Sequence, residues 1–286
     1  MPIKELRGKV AVITGAASGL GLAMAERFGA EGMRLLLADI DDERLHAAGQ
    51  RLDAAGVEVQ TLRTDVSKES QIAALADFAY DRFGAVHLLC NNAGVAVVGT
   101  AWERSTADWA WAIGVNLWSV VHGVRSFVPR MLDQGVEGHI VNTASIAGLL
   151  CPPLSGPYVA TKHAVVGLSE CLFHDLRLRS AKVSVSVLCP GFVKTGIAQS
   201  ERARPSDLKD PVPSDDAFAR EIEDFYMNAV EQGTEPGMVV QAVLEAVLED
   251  KFYVLTHGDM DRALEKRFEK ILQRQNPTTR ALAEMA

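Results

Sequence analysis

The sequence predicts an α/β fold in which a mostly parallel β-sheet carries helices on both faces. Short apolar runs rich in β-branched residues alternate with longer segments of helical composition along most of the chain. Such alternation with short links is typical of parallel sheets built from strand–helix–strand units. Glycine and polar residues directly follow the apolar runs, and open α/β sheets bind ligands at that edge. The carboxyl ends of the strands are therefore the predicted binding edge.

Each predicted element follows from its apolar pattern. The predicted strands are residues 9–13, 33–38, 57–62, 86–90, 139–143, 183–188 and 252–255. The predicted helices are residues 22–30, 43–55, 68–83, 106–131, 157–179, 215–232 and 235–250, with an amphipathic helix over about 260–272. Seven strands alternating with helices predict a doubly wound sheet.

One catalytic domain is predicted over residues 1–286, because no linker rich in Pro, Gly or Ser divides the chain. Residues 196–236 interrupt the regular alternation with several prolines and mixed charges. A long excursion after a ligand-facing strand end is typical of a substrate lid. We expect a helical extension over about residues 259–286, with the last six residues frayed.

The composition argues against several functional classes. A net charge of −8 and a pI near 5.4 argue against a nucleic-acid-binding protein, which would usually show a basic face. The charged first residues and the short apolar runs predict neither a secretion signal nor a membrane span. The four cysteines and seven histidines are scattered. We therefore expect a cytoplasmic protein with reduced thiols and no metal site.

A glycine-rich turn follows the first predicted strand. Gly15, Gly19 and Gly21 form a G-x-x-x-G-x-G pattern before a helical segment. Glycines let the backbone come close to a phosphate, and N–H groups at the start of a helix face the anion. The pattern predicts a phosphate-binding turn, although tight packing alone would produce the same glycines.

Asp39 closes the second predicted strand, 24 positions after Gly15. A dinucleotide-binding fold presents a carboxylate to the adenosine ribose at about this position. The carboxylate would accept hydrogen bonds from both ribose hydroxyls of NAD and would repel the 2′-phosphate of NADP. Neither Ser18 nor Ile40 offers the phosphate a positive charge. Asp39 therefore favours NAD.

Tyr158 and Lys162 lie four positions apart in a predicted helix, so they share one face. A fixed ammonium favours the phenolate and is expected to lower the pKa of Tyr158 from about 10. Ser145 follows the fifth predicted strand and could hold a reacting oxygen. The three groups suffice to move a proton on or off an alcohol, but Tyr-x-x-x-Lys alone would also fit a surface pair.

Other polar and small residues mark further strand ends. Asp65 and Val66 close the third strand beside the expected adenine, and residues 91–94 let the chain pass beneath the cofactor. Asn116 stands in the middle of the predicted helix 106–131, where asparagine is a mediocre residue. Its position needs a reason, unless Asn116 lies on the surface.

These ordered residues resemble the short-chain dehydrogenase/reductase family, in particular its NAD-preferring branch. The resemblance covers roughly residues 9–195 and is weaker through residue 255. It implies a seven-stranded Rossmann fold that binds NAD and assembles into homotetramers or homodimers. The cofactor-binding residues that it implies, besides Tyr158 and Lys162, are Gly15, Ser18, Gly19, Leu20, Gly21, Asp39, Ile40, Asp65, Val66, Asn92, Ala93, Gly94, Pro190, Gly191, Val193 and Thr195.

The resemblance also implies the roles of four catalytic residues. Tyr158 would act as general base, and Ser145 would position the substrate oxygen. Lys162 would bind the nicotinamide ribose and lower the pKa of Tyr158. Asn116 would hold a water that relays the proton to solvent through Lys162. The implied reaction is hydride transfer between NAD(H) and a secondary alcohol or ketone.

The segments expected to face the substrate are largely apolar, notably residues 95–98 and 146–154. An apolar pocket favours a lipophilic secondary alcohol such as a terpenoid, steroid or aryl carbinol. Packing against the sheet or against a neighbouring subunit would also explain these residues. Lys194, Arg202 and Arg204 could instead meet a carboxylate on the substrate.

Two other functional classes use the same features. An NADP-dependent carbonyl or acyl-carrier-protein reductase would contain the same catalytic residues. A non-catalytic dinucleotide-binding sensor would share the fold, because a fold alone does not dictate function. The sensor is disfavoured by the presence of Ser145, Tyr158 and Lys162 together.

Overall fold

The computed structural model describes residues 3–209 and 217–278. A seven-stranded sheet with parallel pairings forms its centre, in the order β3-β2-β1-β4-β5-β6-β7. The strands are β1 (Val10–Thr14), β2 (Arg34–Asp39), β3 (Val59–Arg63), β4 (Leu88–Asn91), β5 (Gly138–Thr143), β6 (Val183–Cys189) and β7 (Tyr253–Leu255). The predicted doubly wound α/β fold is confirmed.

Helices cover both faces of the sheet. They are α1 (Gly19–Ala30), α2 (Asp42–Ala54), α3 (Glu69–Phe83), α4 (Thr106–Ile113), α5 (Ser119–Asp133), α6 (Gly156–Leu178), α7 (Ala217–Glu231), α8 (Pro236–Glu249) and α9 (Asp261–Leu272). Apolar side chains of α1, α2 and α8 pack on one face, and those of α3, α5 and α6 pack on the other. The central strands are thus buried on both sides, which explains their continuous apolar runs.

The sheet order places the binding edge. The chain moves from β1 outward through β2 to β3, then returns to β4 on the other side of β1. A crevice opens where the strand order reverses, at the carboxyl ends of β1 and β4. Glycine-rich and polar residues at those two strand ends are therefore brought together.

Polar residues inside the sheet are hydrogen-bonded to one another. Asn91 Nδ2 donates to Asn142 Oδ1 at 2.9 Å, and Asn142 Nδ2 donates to Ser169 Oγ at 3.0 Å. His139 and Ser186 pair at 2.7 Å between β5 and β6. A buried polar group is costly only when it lacks a partner, so these pairs are compatible with the apolar core.

One predicted helix differs from the observed structure. Residues 106–131 form two helices, α4 and α5, joined by a π-helical turn at Gly114–Trp118. π-helical turns are rare and often accompany functional sites. The turn contains Asn116, whose side chain holds a neighbouring backbone segment, as described below.

Within residues 3–209 and 217–278, none of the helices combines the length and apolar character needed to cross a bilayer. The same residues contain no cluster of three or more His, Cys, Asp or Glu side chains arranged to hold a metal ion. Cys90 and Cys189 are buried free thiols, and Cys151 and Cys171 are exposed free thiols.

Candidate active site

A cleft of about 1440 Å³ opens along the carboxyl edge of the sheet. All of the residues predicted to bind the cofactor or to act in catalysis line this cleft except Gly21 and Asn116. Gly21 is buried beneath the glycine-rich turn, where an added Cβ would collide with the carbonyl oxygen of Gly15. The predicted site residues thus lie at one place, with Gly21 and Asn116 directly behind it.

The glycine-rich turn brings the backbone close to the next strand end. Gly15 has a φ of +66°, and a Cβ there would lie 2.8 Å from the Cα of Ala93. Ser18 precedes α1 but makes no side-chain capping bond. The N–H groups at the start of α1 therefore face the cleft without a cap from Ser18, and such groups attract an anion.

Asp39 is held at the end of β2 by two backbone groups. Its Oδ2 accepts a hydrogen bond from the N–H of Ala17 at 3.0 Å, and its Oδ1 accepts one from the N–H of Asp41 at 3.0 Å. Arg44, the first cation beyond the strand, pairs with Asp41 at 3.5 Å. In the described part of the chain, no cation pairs with Asp39, so the carboxylate presents negative charge to the cleft.

Two threonines that the sequence analysis did not identify join the strand ends. Thr14 Oγ1 accepts hydrogen bonds from the N–H groups of Asn92 at 2.9 Å and Ala93 at 3.2 Å. Asn92 Nδ2 donates to the carbonyl of Thr14 at 3.0 Å. Thr143 Oγ1 donates to Asn92 Oδ1 at 3.3 Å. These bonds connect β1, β4 and β5 where the crevice opens.

Asn116 is fully buried and does not lie on the surface, so the alternative reading of this residue is wrong. Its Oδ1 accepts from the N–H of Val95 at 2.8 Å, and its Nδ2 donates to the carbonyl of Val95 at 3.0 Å. Nδ2 also donates to Thr161 Oγ1 at 3.2 Å. A Cβ on Gly94 would lie 3.4 Å from Asn116 Oδ1 and 3.5 Å from Lys162 Nζ. The π-helical turn therefore fixes the segment that passes beside Lys162.

Ser145 and Tyr158 both line the cleft and are hydrogen-bonded to each other. Ser145 Oγ accepts from the N–H of Ala147 at 3.1 Å and lies 3.4 Å from the carbonyl oxygen of Pro190. Burial raises the pKa of Tyr158 to about 12, and a hydrogen bond with Ser145 opposes that rise. The phenol is therefore neutral at pH 7 and can donate a proton.

Lys162 is buried beside Tyr158. Its Nζ donates to the carbonyl of Thr143 at 2.9 Å and lies 5.6 Å from the centroid of the Tyr158 ring. Burial lowers the pKa of Lys162 to about 8. The pKa of Tyr158 is therefore not lowered as expected, because burial of the phenol dominates and raises it.

His257, which the sequence analysis did not identify, holds the segment that follows β6. His257 Nδ1 accepts from the N–H of Gly191 at 3.0 Å, so Nε2 carries the proton of the neutral ring and donates to the carbonyl of Phe192 at 3.1 Å. His257 follows β7, whereas Gly191 follows β6. Only the adjacency of these two strands reveals the contact.

Aromatic and apolar side chains line the outer part of the cleft. Phe192 and Tyr226 pack edge to face with ring centroids 6.0 Å apart, and Tyr226 hydrogen-bonds Ser155. Val95 and Val97 are also buried against Trp111, so part of the predicted substrate segment packs inward. Phe218 also belongs to the predicted lid over residues 196–236, but its side chain lies outside the described part of the chain.

The three cations proposed as carboxylate partners already have other contacts. Lys194 pairs with Glu235 at 2.6 Å, and Arg204 pairs with Asp108 at 2.7 Å. Arg202 donates to two backbone carbonyls of its own turn, at 2.8 and 3.1 Å. The cleft is instead bordered by α9, which the sequence analysis did not place there.

The family model for short chain dehydrogenases matches residues 9–206. The chain belongs to this family. A CLA biosynthesis dehydrogenase/reductase from Lactiplantibacillus plantarum is 35% identical to this short-chain dehydrogenase over 273 residues, which cover 94% of this chain and 95% of the relative. The 1-deoxy-11-beta-hydroxypentalenate dehydrogenase of Streptomyces exfoliatus is 34% identical over 269 residues, which cover 93% and 90%.

A solved structure is also similar to this short-chain dehydrogenase over nearly its whole length. It is the crystal structure of a short-chain dehydrogenase/reductase from Burkholderia phymatum in complex with NAD. Its sequence is 49% identical, its TM-score is 0.95, and the match covers 98% of this chain and 99% of that one. The fold is therefore the Rossmann-like fold of this family, and the protein is an oxidoreductase that acts on alcohol or keto groups.

Proposed function

We propose that this short-chain dehydrogenase transfers a hydride between NAD(H) and a lipophilic secondary alcohol or ketone. The observation that carries the proposal is the convergence of Ser145, Tyr158 and Lys162 on the cleft that also holds Asp39. Alcohol oxidation needs a group that takes the proton and a dinucleotide that takes the hydride. Tyr158 suits the first need, and Asp39 suits the binding of the dinucleotide. The aromatic and apolar outer cleft supports the lipophilic substrate class.

The residues at the inner end of the cleft fit NAD. The uncapped start of α1 suits the pyrophosphate, and the Asp39 carboxylate suits the adenosine ribose hydroxyls. Gly94 lies beside Lys162, where the nicotinamide half would lie, and Gly191 and Thr195 line the same cleft. The relative from Burkholderia phymatum, solved with NAD, supports the same cofactor.

The bound nicotinamide would accept or supply the hydride, and the chain's own residues would handle the proton. Tyr158 would remove the hydroxyl proton during oxidation and return it during reduction. Ser145 Oγ would hydrogen-bond the reacting oxygen while charge develops on it. Lys162 would hold the nicotinamide ribose and place a positive charge beside the phenol. Holding the reactants together lowers the barrier by several kcal/mol.

Asn116 would act on the proton relay indirectly, through the backbone around it. Its two amide N–H groups donate to the carbonyl of Val95 and to Thr161 Oγ1, so the amide has no N–H left for the relay water. A π-helical turn leaves backbone carbonyls without their usual helical partners. We propose that such a carbonyl in Gly114–Trp118 holds the water that carries the proton onward from Lys162.

We also propose a cytoplasmic homo-oligomer, either a tetramer or a dimer, built from single catalytic domains with a lid over residues 196–236. Trp118 and Leu178 are exposed large apolar residues, at 48% and 85% of each residue's reference area. Association with a second copy of the chain would cover such residues. Arg204 joins the lid to α4 through Asp108, and residues 210–216 of the lid lie outside the described ranges.

A panel of secondary alcohols tests the proposal. NAD and NADP reduction is measured at 340 nm with cyclic terpenoid, steroid, aryl and short aliphatic alcohols. We expect turnover with NAD and a preference for the lipophilic alcohols. Higher kcat/KM with NADP would favour the carbonyl or acyl-carrier-protein reductase, and cofactor binding without any turnover would favour the sensor.

A further inference from the structure

The C-terminal helix α9 presents different side chains to the cleft and away from it. Lys266, Arg267 and Lys270 line the cleft together with Ala263 and Ile271. The acidic residues of the helix follow a different stripe at four-residue spacing: Asp261, Glu265 and Glu269. These acids do not line the cleft. The helix therefore presents three of its four cations to the cleft and none of its three carboxylates.

The three cations have no carboxylate partner among residues 3–209 and 217–278. Arg267 contacts His163 Nε2 at 3.3 Å and Cys151 Sγ at 3.5 Å, and Lys270 donates to the carbonyl of Asn276 at 3.5 Å and to Thr278 Oγ1. By contrast, Lys194 and Arg204 are paired with carboxylates. A cluster of three cations without carboxylate partners is unusual in a chain with a net charge of −8.

Arg267 is half-buried and contacts two neighbouring segments of the chain. His163 lies on α6, one position after Lys162, and Cys151 lies in the loop that follows Ser145. Arg267 therefore fixes α9 against the two segments that carry the proposed catalytic residues. The cation cluster and the catalytic group border the same cleft from different sides.

Apolar side chains line the same cleft as these two polar regions. Leu150, Pro152 and Pro153 lie on the loop that reaches Arg267, and Ile271 belongs to α9 itself. A ligand that satisfies both regions carries a reactive oxygen at one end, an apolar body and an anionic group at the other end. The carboxylates that line the cleft, Asp39 among them, lie on other elements.

From these contacts we infer that Lys266, Arg267 and Lys270 form a binding site for a carboxylate on the substrate, so that the enzyme acts on hydroxy or keto acids with an apolar body. The inference rests on the proposed alcohol oxidation and adds the anionic end to the substrate class. A guanidinium and two ammonium groups suit a carboxylate, because charge-assisted hydrogen bonds are the stronger ones.

The test compares acids with their esters. A series of (ω−1)-hydroxy fatty acids from hexanoate to hexadecanoate, each with its methyl ester, is oxidised by the full-length enzyme with NAD. We expect kcat/KM for the best acid to exceed that for its ester by about tenfold, which corresponds to about 1.4 kcal/mol. The preference should fall when NaCl is raised, because salt screens exposed charges. Equal values for acid and ester at every chain length would overturn the inference.

A double variant locates the effect. Lys266→Gln with Lys270→Gln should lower the acid-over-ester ratio by about tenfold, because two of the three positive charges are removed while part of each apolar stem is kept. Arg262→Gln is the matched control, since Arg262 lies one turn before Lys266 on α9 but does not line the cleft. An equal loss in the Arg262 variant would show a net-charge effect and contradict the site.

Binding of dodecanoate, which has no hydroxyl to oxidise, separates this inference from the proposed function. Calorimetry should detect dodecanoate binding to the wild type and weaker binding, by about tenfold, to the double variant. If no alcohol is oxidised but this difference holds, the proposed function fails and the carboxylate site stands. If alcohols are oxidised and dodecanoate binds both proteins equally, the carboxylate site fails alone.

Discussion

At the residue scale, Tyr158 governs the proposed proton transfer. Burial raises its pKa to about 12, and only the bond with Ser145 opposes that rise among the larger influences. A neutral phenol is ready to donate a proton to a ketone at pH 7. As a base in alcohol oxidation, it depends on the small phenolate fraction, which grows about tenfold for each pH unit below the pKa.

This pKa predicts opposite pH dependences for the two directions. Between about pH 6 and pH 8, where Lys162 largely keeps its charge, kcat/KM for alcohol oxidation should rise, because the deprotonated form of Tyr158 that acts as base becomes more populated. Ketone reduction should not rise over the same range, because it uses the protonated form. Steady-state rates with one alcohol and its ketone provide the measurement. An oxidation rate that falls steadily over this range would count against Tyr158 as the base.

Asp39 makes the second prediction at this scale. Asp39→Ala should shift the ratio of kcat/KM for NAD to that for NADP by at least about tenfold toward NADP, because the repulsion of the 2′-phosphate is removed. The side chain also accepts two backbone hydrogen bonds, so the melting temperature must be followed. Asp39→Asn is the control that removes the charge and keeps the shape. An unchanged ratio in both variants would remove Asp39 from cofactor selection.

Residues with a chemical signature could be predicted from the sequence, whereas residues defined by their contacts could not. Asp39, Ser145 and Tyr158 stand at strand ends or on a helix face, where chain order alone indicates their place. Thr14 and His257 are ordinary residues in the sequence. Their roles depend on the adjacency of β1 with β4 and of β6 with β7, which is a long-range property.

At the element scale, the π-helical turn at Gly114–Trp118 positions the segment beside Lys162. Apolar periodicity predicted one continuous helix over residues 106–131, and it could not reveal the extra residue per turn. Asn116 was the residue that indicated an irregularity, because asparagine is a poor helix-interior residue. Its side chain makes two hydrogen bonds to the backbone of Val95. The central strands were predicted closely, because burial on both faces leaves an unbroken apolar run.

Asn116 makes the third prediction. Asn116→Ala should reduce the free energy of unfolding by about 2–4 kcal/mol, because the buried N–H and carbonyl of Val95 lose their partners. Urea denaturation followed by circular dichroism measures the change. Asn116→Asp is the comparison, since it keeps the acceptor for the Val95 N–H and loses the donor. A loss below about 1 kcal/mol in the alanine variant would mean that the turn is held by other contacts.

At the scale of the whole molecule, the reversal of strand order between β1 and β4 brings the proposed cofactor-binding and catalytic residues to one crevice. Asp39 arrives from β2 on one side, and Ser145 and Tyr158 arrive from β5 and α6 on the other. The alternation of strands and helices predicted this shared edge. The position of α9 could not be predicted, because an amphipathic helix does not indicate which of its faces meets the rest of the chain.

The central claim is that Tyr158 moves the proton while NAD takes the hydride. The most direct test measures NADH formation at 340 nm from a lipophilic secondary alcohol, together with calorimetric binding of NAD, for the wild type and Tyr158→Phe. The account predicts that the variant binds NAD within about twofold of the wild type and loses about a thousandfold in kcat. Turnover retained by Tyr158→Phe, with NAD bound equally well, would contradict it.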